Sequence, residues 1–144
     1  MHATLPLLKQ TAFPAIRRDR LQTLQVNLGY RCNQACLHCH VNAGPTRREV
    51  MTDDTIDAVI DYQSDAGLAS LDITGGAPEL NPGFGRLVRA AREMGMHVID
   101  RCNLTVLLEP GQEETAEFLA DNKVEIVASL PCYLKENVES QRGE

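Results

Sequence analysis

Three cysteines fall within eight residues, Cys32, Cys36 and Cys39, at spacings of three and two. They directly follow an alternating stretch, Leu24 to Leu28, that reads as a β-strand. The loop at the C-terminal end of a parallel strand is where α/β folds place their chemistry. Such close spacing makes the loop wrap a compact object on which three thiolates converge. A cubic four-iron cluster has four corners and normally takes four cysteines. Three cysteines leave one iron without a protein ligand, and an open coordination position separates a catalytic metal centre from a structural one.

Other metals and redox chemistry compete for the same residues. Three cysteines and a histidine make an ordinary structural zinc site. The candidate fourth ligands, His38 and His40, flank Cys39 directly and are poorly placed to reach the metal that Cys39 binds. The run from Cys36 to His40 also satisfies the C-x-x-C-H haem attachment pattern. Haem leaves Cys32 without a role, and so does a thioredoxin-like redox pair. An iron–sulfur cluster uses all three cysteines.

The elements that position these residues must fit in 144 residues, enough for one core and one domain. A hydrophobic fraction of 43% suits a globular chain, and a net charge of −6 argues against a nucleic-acid surface. The short basic run Arg17, Arg18 and Arg20 reads as a solvated face. No apolar stretch approaches membrane-spanning length, so no membrane partner is expected. The N-terminus lacks the apolar run of a secretory signal, which favours a cytoplasmic location. In that setting five cysteines read as metal ligands and buried thiols rather than disulfides.

Residues 1–20, with Pro6 and Pro14, read as an irregular leader, and 21–144 as the core. Strand and helix then alternate. The expected strands are Leu21–Leu28, Leu68–Thr74, His97–Cys102 and Val124–Leu130. The first helix starts at Thr52, a suitable N-cap followed by Asp53 and Asp54, and stops at Gly67. The second is capped by Asn81 with Pro82 in its first position, buries Phe84, Leu87, Val88 and Ala91, and ends at Gly95. Arg86, Arg89 and Arg92 fall on its solvated face. The third spans Gln112–Ala120. This alternation predicts an α/β fold with parallel strands and right-handed crossovers.

Polar residues recur along two strands: Gln25 and Asn27, then Asp72 and Thr74. Period-two geometry puts each pair on one side of its strand. Either a curved sheet encloses a polar lumen fit for a ligand, or one face is simply wet. The loop Gly75-Gly76-Ala77-Pro78-Glu79 follows the second strand, where paired glycines permit close approach to the main chain. Gly83-Phe84-Gly85 sits inside a helical pattern and is not a dinucleotide fingerprint.

The Cys-x3-Cys-x2-Cys spacing resembles the signature of the radical S-adenosylmethionine (SAM) family, although His38 stands where many members carry Phe or Tyr. The resemblance implies a partial (β/α) barrel of about four strand–helix units. It also implies a 4Fe–4S cluster on Cys32, Cys36 and Cys39, whose open iron binds SAM, and an external electron donor. In this family a Gly-Gly-Glu-type motif after the second strand receives the SAM ammonium. Gly75 and Gly76 match it, and Glu79 is a carboxylate displaced by two residues. Asn103 and Ser129 fall where the family contacts the ribose or methionine of SAM. Cys102 and Cys132 lie outside the motif and read as small buried side chains.

Five stretches are similar to a narrower subgroup, the radical SAM/Cys-rich proteins that include arsenosugar-biosynthesis enzymes. They are 24–34 (LQVNLGYRCNQ), 39–45 (CHVNAGP), 72–82 (DITGGAPELNP), 99–105 (IDRCNLT) and 129–133 (SLPCY). For those enzymes the implied reaction is transfer of the 5′-deoxyadenosyl group to a methylated trivalent arsenical. Peptide-modifying radical maturases, which also carry cysteine-rich extensions, are an alternative. A zinc-stabilised binding module without enzymatic activity is another. A complete barrel of this type takes about 250 residues, so the resemblance further implies that 21–144 is the N-terminal part of a longer core.

Overall fold

A computed structural model describes residues 4–9, 11–12, 14, 17, 19–130 and 135–142. Four parallel strands, β1 (Thr23–Asn27), β2 (Ser70–Thr74), β3 (His97–Asp100) and β4 (Glu125–Ile126), lie side by side in chain order. Helices α2 (Asp53–Ala66), α3 (Phe84–Glu93) and α4 (Thr115–Asp121) fill the three crossovers. The α/β alternation expected from the sequence is thus the observed architecture. Within the leader, Leu5–Leu8 forms one helical turn (α1), where an irregular segment was expected. A further helix, α5, spans Lys135–Arg142.

The strand register sorts the side chains into two rows. Leu24, Leu71 and Val98 align across the sheet, as do Val26, Ile73 and Asp100. This face packs on Ile56 of α2 and on Phe84, Leu87, Val88 and Ala91 of α3, forming the main core. The opposite face carries Gln25, Asp72 and Ile99 in one row and Asn27 and Thr74 in the next. There Gln25 donates to Asp72 at 2.9 Å. The polar alternation therefore follows the pleat, and its polar side faces away from the helices.

Helix α2 is bounded as its sequence dictates. The Thr52 hydroxyl accepts from Thr55 N–H, Asp53 and Asp54 occupy the first turn, and Gly67 closes the helix in the left-handed region at φ 57°. Helix α3 starts later than its sequence suggests. A 3₁₀ turn at Pro78–Leu80 precedes it, and Phe84 is its first residue. Asn81 is a brace more than a cap. Its Oδ1 accepts from Gly83 N–H at 2.8 Å, and its amide donates to Leu28 O and Met51 O at 3.1 and 3.0 Å. The buried face of α3 is the one expected. On its other face Arg86 pairs with Asp53 and Asp57, and Arg89 lies over the Phe118 ring.

The third and fourth strands are shorter than their apolar runs. β3 ends at Asp100, although Val127 N–H still donates to Asp100 O and Ser129 N–H to Cys102 O. Val124–Leu130 yields only two strand residues. Residues 125–130 are all exposed, so burial does not hold the rest of the run in regular geometry. Helix α4 begins at Thr115, not Gln112. Arg18 and Cys132 lie outside the described residues. Among the described residues, no helix is long and apolar enough to cross a membrane.

Because Leu87 is fully buried between sheet and helices, Leu87→Ala is expected to cost about 2–5 kcal/mol in urea unfolding. Leu108, which projects into solvent, should tolerate alanine within about 0.5 kcal/mol in the same assay.

Candidate metal and cofactor site

The cysteine loop leaves β1 through a tight bend. Gly29 N–H donates to the Asn27 side chain at 2.8 Å, and Gly29 sits at φ 130°, a conformation that side-chain-bearing residues rarely adopt. The loop then folds on itself. Tyr30 N–H bonds to Glu49 O, Cys32 N–H to Gly44 O, and Gly44 N–H to Tyr30 O. The glycine loop after β2 clasps this loop through the backbone: Gly76 N–H donates to Gly29 O and Ala77 N–H to Arg31 O, both at 2.9 Å. A methyl group on Gly76 would stand 2.4 Å from Arg31 O, and one on Gly75 2.8 Å from Gly29 O. Only glycine allows the approach.

The clasp puts both loops on one cavity of about 300 Å³. Cys32, Cys36, Cys39, Gly75, Gly76, Asn103 and Ser129 all line it, so seven of the eight site residues expected from the sequence come together. Three N–H groups point at the sulfurs. Gln34 N–H and the Asn103 amide donate to Cys32 Sγ at 3.4 and 3.5 Å, and Ala43 N–H to Cys39 Sγ at 3.3 Å. Burial pushes the Cys32 thiol above its ordinary pKa; the Gln34 N–H pulls it back and the neighbouring Cys36 adds to the rise. Asn103 is itself fixed, since its Oδ1 accepts from Val106 N–H and Thr105 Oγ1 and its amide also reaches Asn33.

The eighth residue, Glu79, is not at the cavity. The 3₁₀ turn after Ala77 carries it to the helix-facing side of the sheet, where it is 6% exposed and lies beside Asp100 and Cys102. A displacement of two residues in the motif becomes a different face of the sheet. Burial, with the negative charge of Glu79 alongside, raises Asp100 to about 8. Burial likewise pushes the Cys102 thiol up. Cys102 is fully buried, as expected for a small apolar side chain.

Arg101 also lines the cavity, although sequence reasoning gave it no role. Its side chain is 46% exposed, and the guanidinium grips Asp72 through two hydrogen bonds of 2.8 Å. The hydrogen bonds from Arg101, and then that from Gln25, hold the Asp72 carboxyl below the usual range. The signal was present in the polar alternation that included Asp72, but its cationic partner stands one residue past the end of β3. His38 and His40 line the cavity too, and the His38 ring lies 2.8 Å from Gln141 O of α5.

The donor geometry separates a single zinc ion from a larger group. Zinc–sulfur bonds of about 2.3 Å in a tetrahedron bring sulfurs to about 3.8 Å of each other. Among the described residues, no three ligand atoms drawn from these cysteines and histidines lie within 4.8 Å of one another. As placed, the three thiols do not all come within reach of one small ion, whereas the ligands of a multi-iron cluster attach to separate irons and need not.

Residues 26–130 match the radical SAM superfamily. The chain belongs to that superfamily. Among curated proteins it is similar to a probable GTP 3',8-cyclase from Sulfurisphaera tokodaii, 25% identical over 61% of this chain. A second probable GTP 3',8-cyclase, from Methanothermobacter marburgensis, is 26% identical over 64%. The chain spans 28% and 30% of the length of these relatives. Among solved structures it resembles Streptococcus suis SuiB at TM-score 0.67 and 21% identity, covering 86% of this chain and 28% of SuiB. SuiB bound to its precursor peptide SuiA gives TM-score 0.68 at 20% identity, again over 86% of this chain and 28% of the other. At such identity the likeness speaks for the fold, a radical SAM sheet-and-helix core.

Two outcomes follow for the clasp and for Arg101. Gly76→Ala should lose about 1–3 kcal/mol of stability, with faster amide exchange at Gly76 and Ala77 as the two loops part. The depressed Asp72 stabilises the fold above its unfolded value of 3.8, and that contribution disappears as pH falls through its lower folded value. The stability gap between the native chain and Arg101→Ala should therefore narrow in urea unfolding as pH drops below 3.8.

Proposed function

We propose that Cys32, Cys36 and Cys39 hold a 4Fe–4S cluster and that SAM occupies the adjoining cavity. The observation that carries this reading is the convergence of three thiols, with N–H donors aimed at two of the sulfurs, beside a glycine-lined backbone on one cavity. Bound together, cluster and SAM supply a one-electron reductive cleavage of the sulfonium that yields methionine and a 5′-deoxyadenosyl radical.

The chain's own tasks are to bind, orient and shield. The Gln34, Ala43 and Asn103 donors disperse negative charge on Cys32 and Cys39, which favours the ligating thiolate. Gly75 and Gly76 expose main-chain groups to the cavity without side-chain bulk and suit an ammonium partner. Arg101, held rigid by Asp72, presents positive charge suited to a carboxylate. Asn103 and Ser129 line the same cavity and serve the ribose or methionine part. An external reductant supplies the electron, and the cytoplasm is the compartment that suits an oxygen-sensitive group.

For the substrate, the five stretches similar to the radical SAM/Cys-rich subgroup support a methylated trivalent arsenical. The deoxyadenosyl group would be transferred to it in arsenosugar biosynthesis. Residues 21–144 would form the cluster- and SAM-binding unit, with 1–20 as a leader.

Anaerobic reconstitution with iron and sulfide tests the cofactor assignment. The expected product is brown, binds about four irons per chain, and has an electron paramagnetic resonance signal perturbed by SAM. Replacing Cys32, Cys36 and Cys39 together by alanine should abolish the colour and the iron uptake. One tightly bound zinc with no iron would overturn the assignment. Incubation with reductant, SAM and a trivalent methylarsenical tests the substrate. An arsenic–carbon adduct of deoxyadenosine is expected, and free deoxyadenosine alone would count against the arsenical.

A further inference from the structure

The polar face of the sheet is accounted for by the cavity; the helix-facing side carries charge that is not. Asp100 is the last residue of β3, and Cys102, two positions on, is also fully buried behind the cavity wall. The 3₁₀ turn brings Glu79 to the same spot. One ligand atom from each of Glu79, Asp100 and Cys102 lies within 4.8 Å of the others. Glu79 is 6% exposed and Asp100 0%, and among the described residues no donor from outside the trio reaches their four carboxylate oxygens. Two ionised carboxylates sealed together are strongly unfavourable unless a cation or a shared proton lies between them. Among the described residues, no Lys or Arg side chain hydrogen-bonds these oxygens. Leu104 N–H donates to Cys102 Sγ at 3.2 Å.

We propose that Glu79, Asp100 and Cys102 form a second metal site that takes one divalent cation of the zinc type. Two hard oxygens and one soft sulfur suit Zn²⁺ or Fe²⁺, whereas Mg²⁺ and Ca²⁺ require all-oxygen shells of six or more ligands. The ligand atoms are close enough for a single small ion, in contrast to the separated thiols of the cavity. None of the three lines that cavity, so this centre is distinct from the cluster. A surface groove lined by Phe84, Arg89 and Thr115 reaches Glu79. The ion ties the glycine loop to the end of β3, the two segments that carry Gly76 and Asn103.

The test uses the full chain with Cys32, Cys36 and Cys39 all changed to alanine, which removes the competing thiols. Zinc is titrated against a chromophoric chelator, and metal content is measured by mass spectrometry. One equivalent of Zn²⁺ per chain is expected, with a rise in the urea midpoint. Adding Glu79→Gln and Asp100→Asn should abolish the uptake. In Co²⁺-loaded protein, Cys102→Ser should remove the sulfur-to-cobalt charge-transfer band while leaving a bound ion. If the triple-alanine chain does not fold, zinc beyond the cluster iron is counted in the reconstituted native chain, and its absorption edge should report one sulfur and two oxygens. No zinc in a folded chain, or zinc retained in Glu79→Gln with Asp100→Asn, would overturn the site. The first of these, together with an infrared carboxylic-acid band lost in Asp100→Asn, would show a shared proton in place of the cation. Neither result bears on iron uptake by the native chain.

Discussion

Two backbone hydrogen bonds, Gly76 N–H to Gly29 O and Ala77 N–H to Arg31 O, organise the whole functional end of the sheet. They lock the cysteine loop onto the strand end beside it, so three thiols arising from one connection face residues from three others. Parallel strands supply the alignment, because every β-to-α connection leaves the sheet at the same edge. The clasp tolerates no side chain at Gly76, where the first added carbon would meet a carbonyl oxygen. These glycines thus serve the packing of two loops and leave their backbone open to the cavity. One requirement, close backbone approach, produces both.

The sheet divides its polar work between its faces. On the cavity side, Asp72 is balanced by Arg101 and Gln25, and the Arg101 side chain keeps nearly half its surface exposed. The pair therefore orients a cation without consuming it. Asn103 carries the same logic one step further along the chain. It joins the sulfur of Cys32 to the turn at Thr105–Leu108, so the thiol nearest the core is held by a side chain from β3's end.

Much of this was legible in the residues. Thr52, Asp53 and Gly67 bound α2 because capping is local chemistry, and Phe84, Leu87, Val88 and Ala91 define the buried face of α3 because helical period is local geometry. The cysteine spacing and the paired glycines marked the cavity for the same reason: each constraint lies within a few residues. What escaped depends on tertiary context. Val124–Leu130 looks like a full strand by propensity, yet it is exposed and keeps regular geometry for two residues only. Glu79 was expected at the cavity from its place in the glycine loop, but a turn of three residues settles which side of the sheet it meets. Arg101 gains meaning only from the register that sets β3 beside β2 and brings its guanidinium to Asp72.

The sharpest consequence of register is at the end of β3. Successive side chains of an extended chain point to opposite faces. Arg101 and Asn103 therefore enter the cavity, while Asp100 and Cys102 turn inward to meet Glu79. Four consecutive residues serve two environments of opposite character, one open and cationic, the other sealed and acidic. A shift of one position would exchange them, placing a guanidinium in the core and a carboxylate against the thiols. Both changes are costly: Asp72 would lose its guanidinium partner, and a carboxylate near the cysteines disfavours their thiolate form. The charges on this short segment thus help fix the strand's register, and through it the position of Asn103 against Cys32.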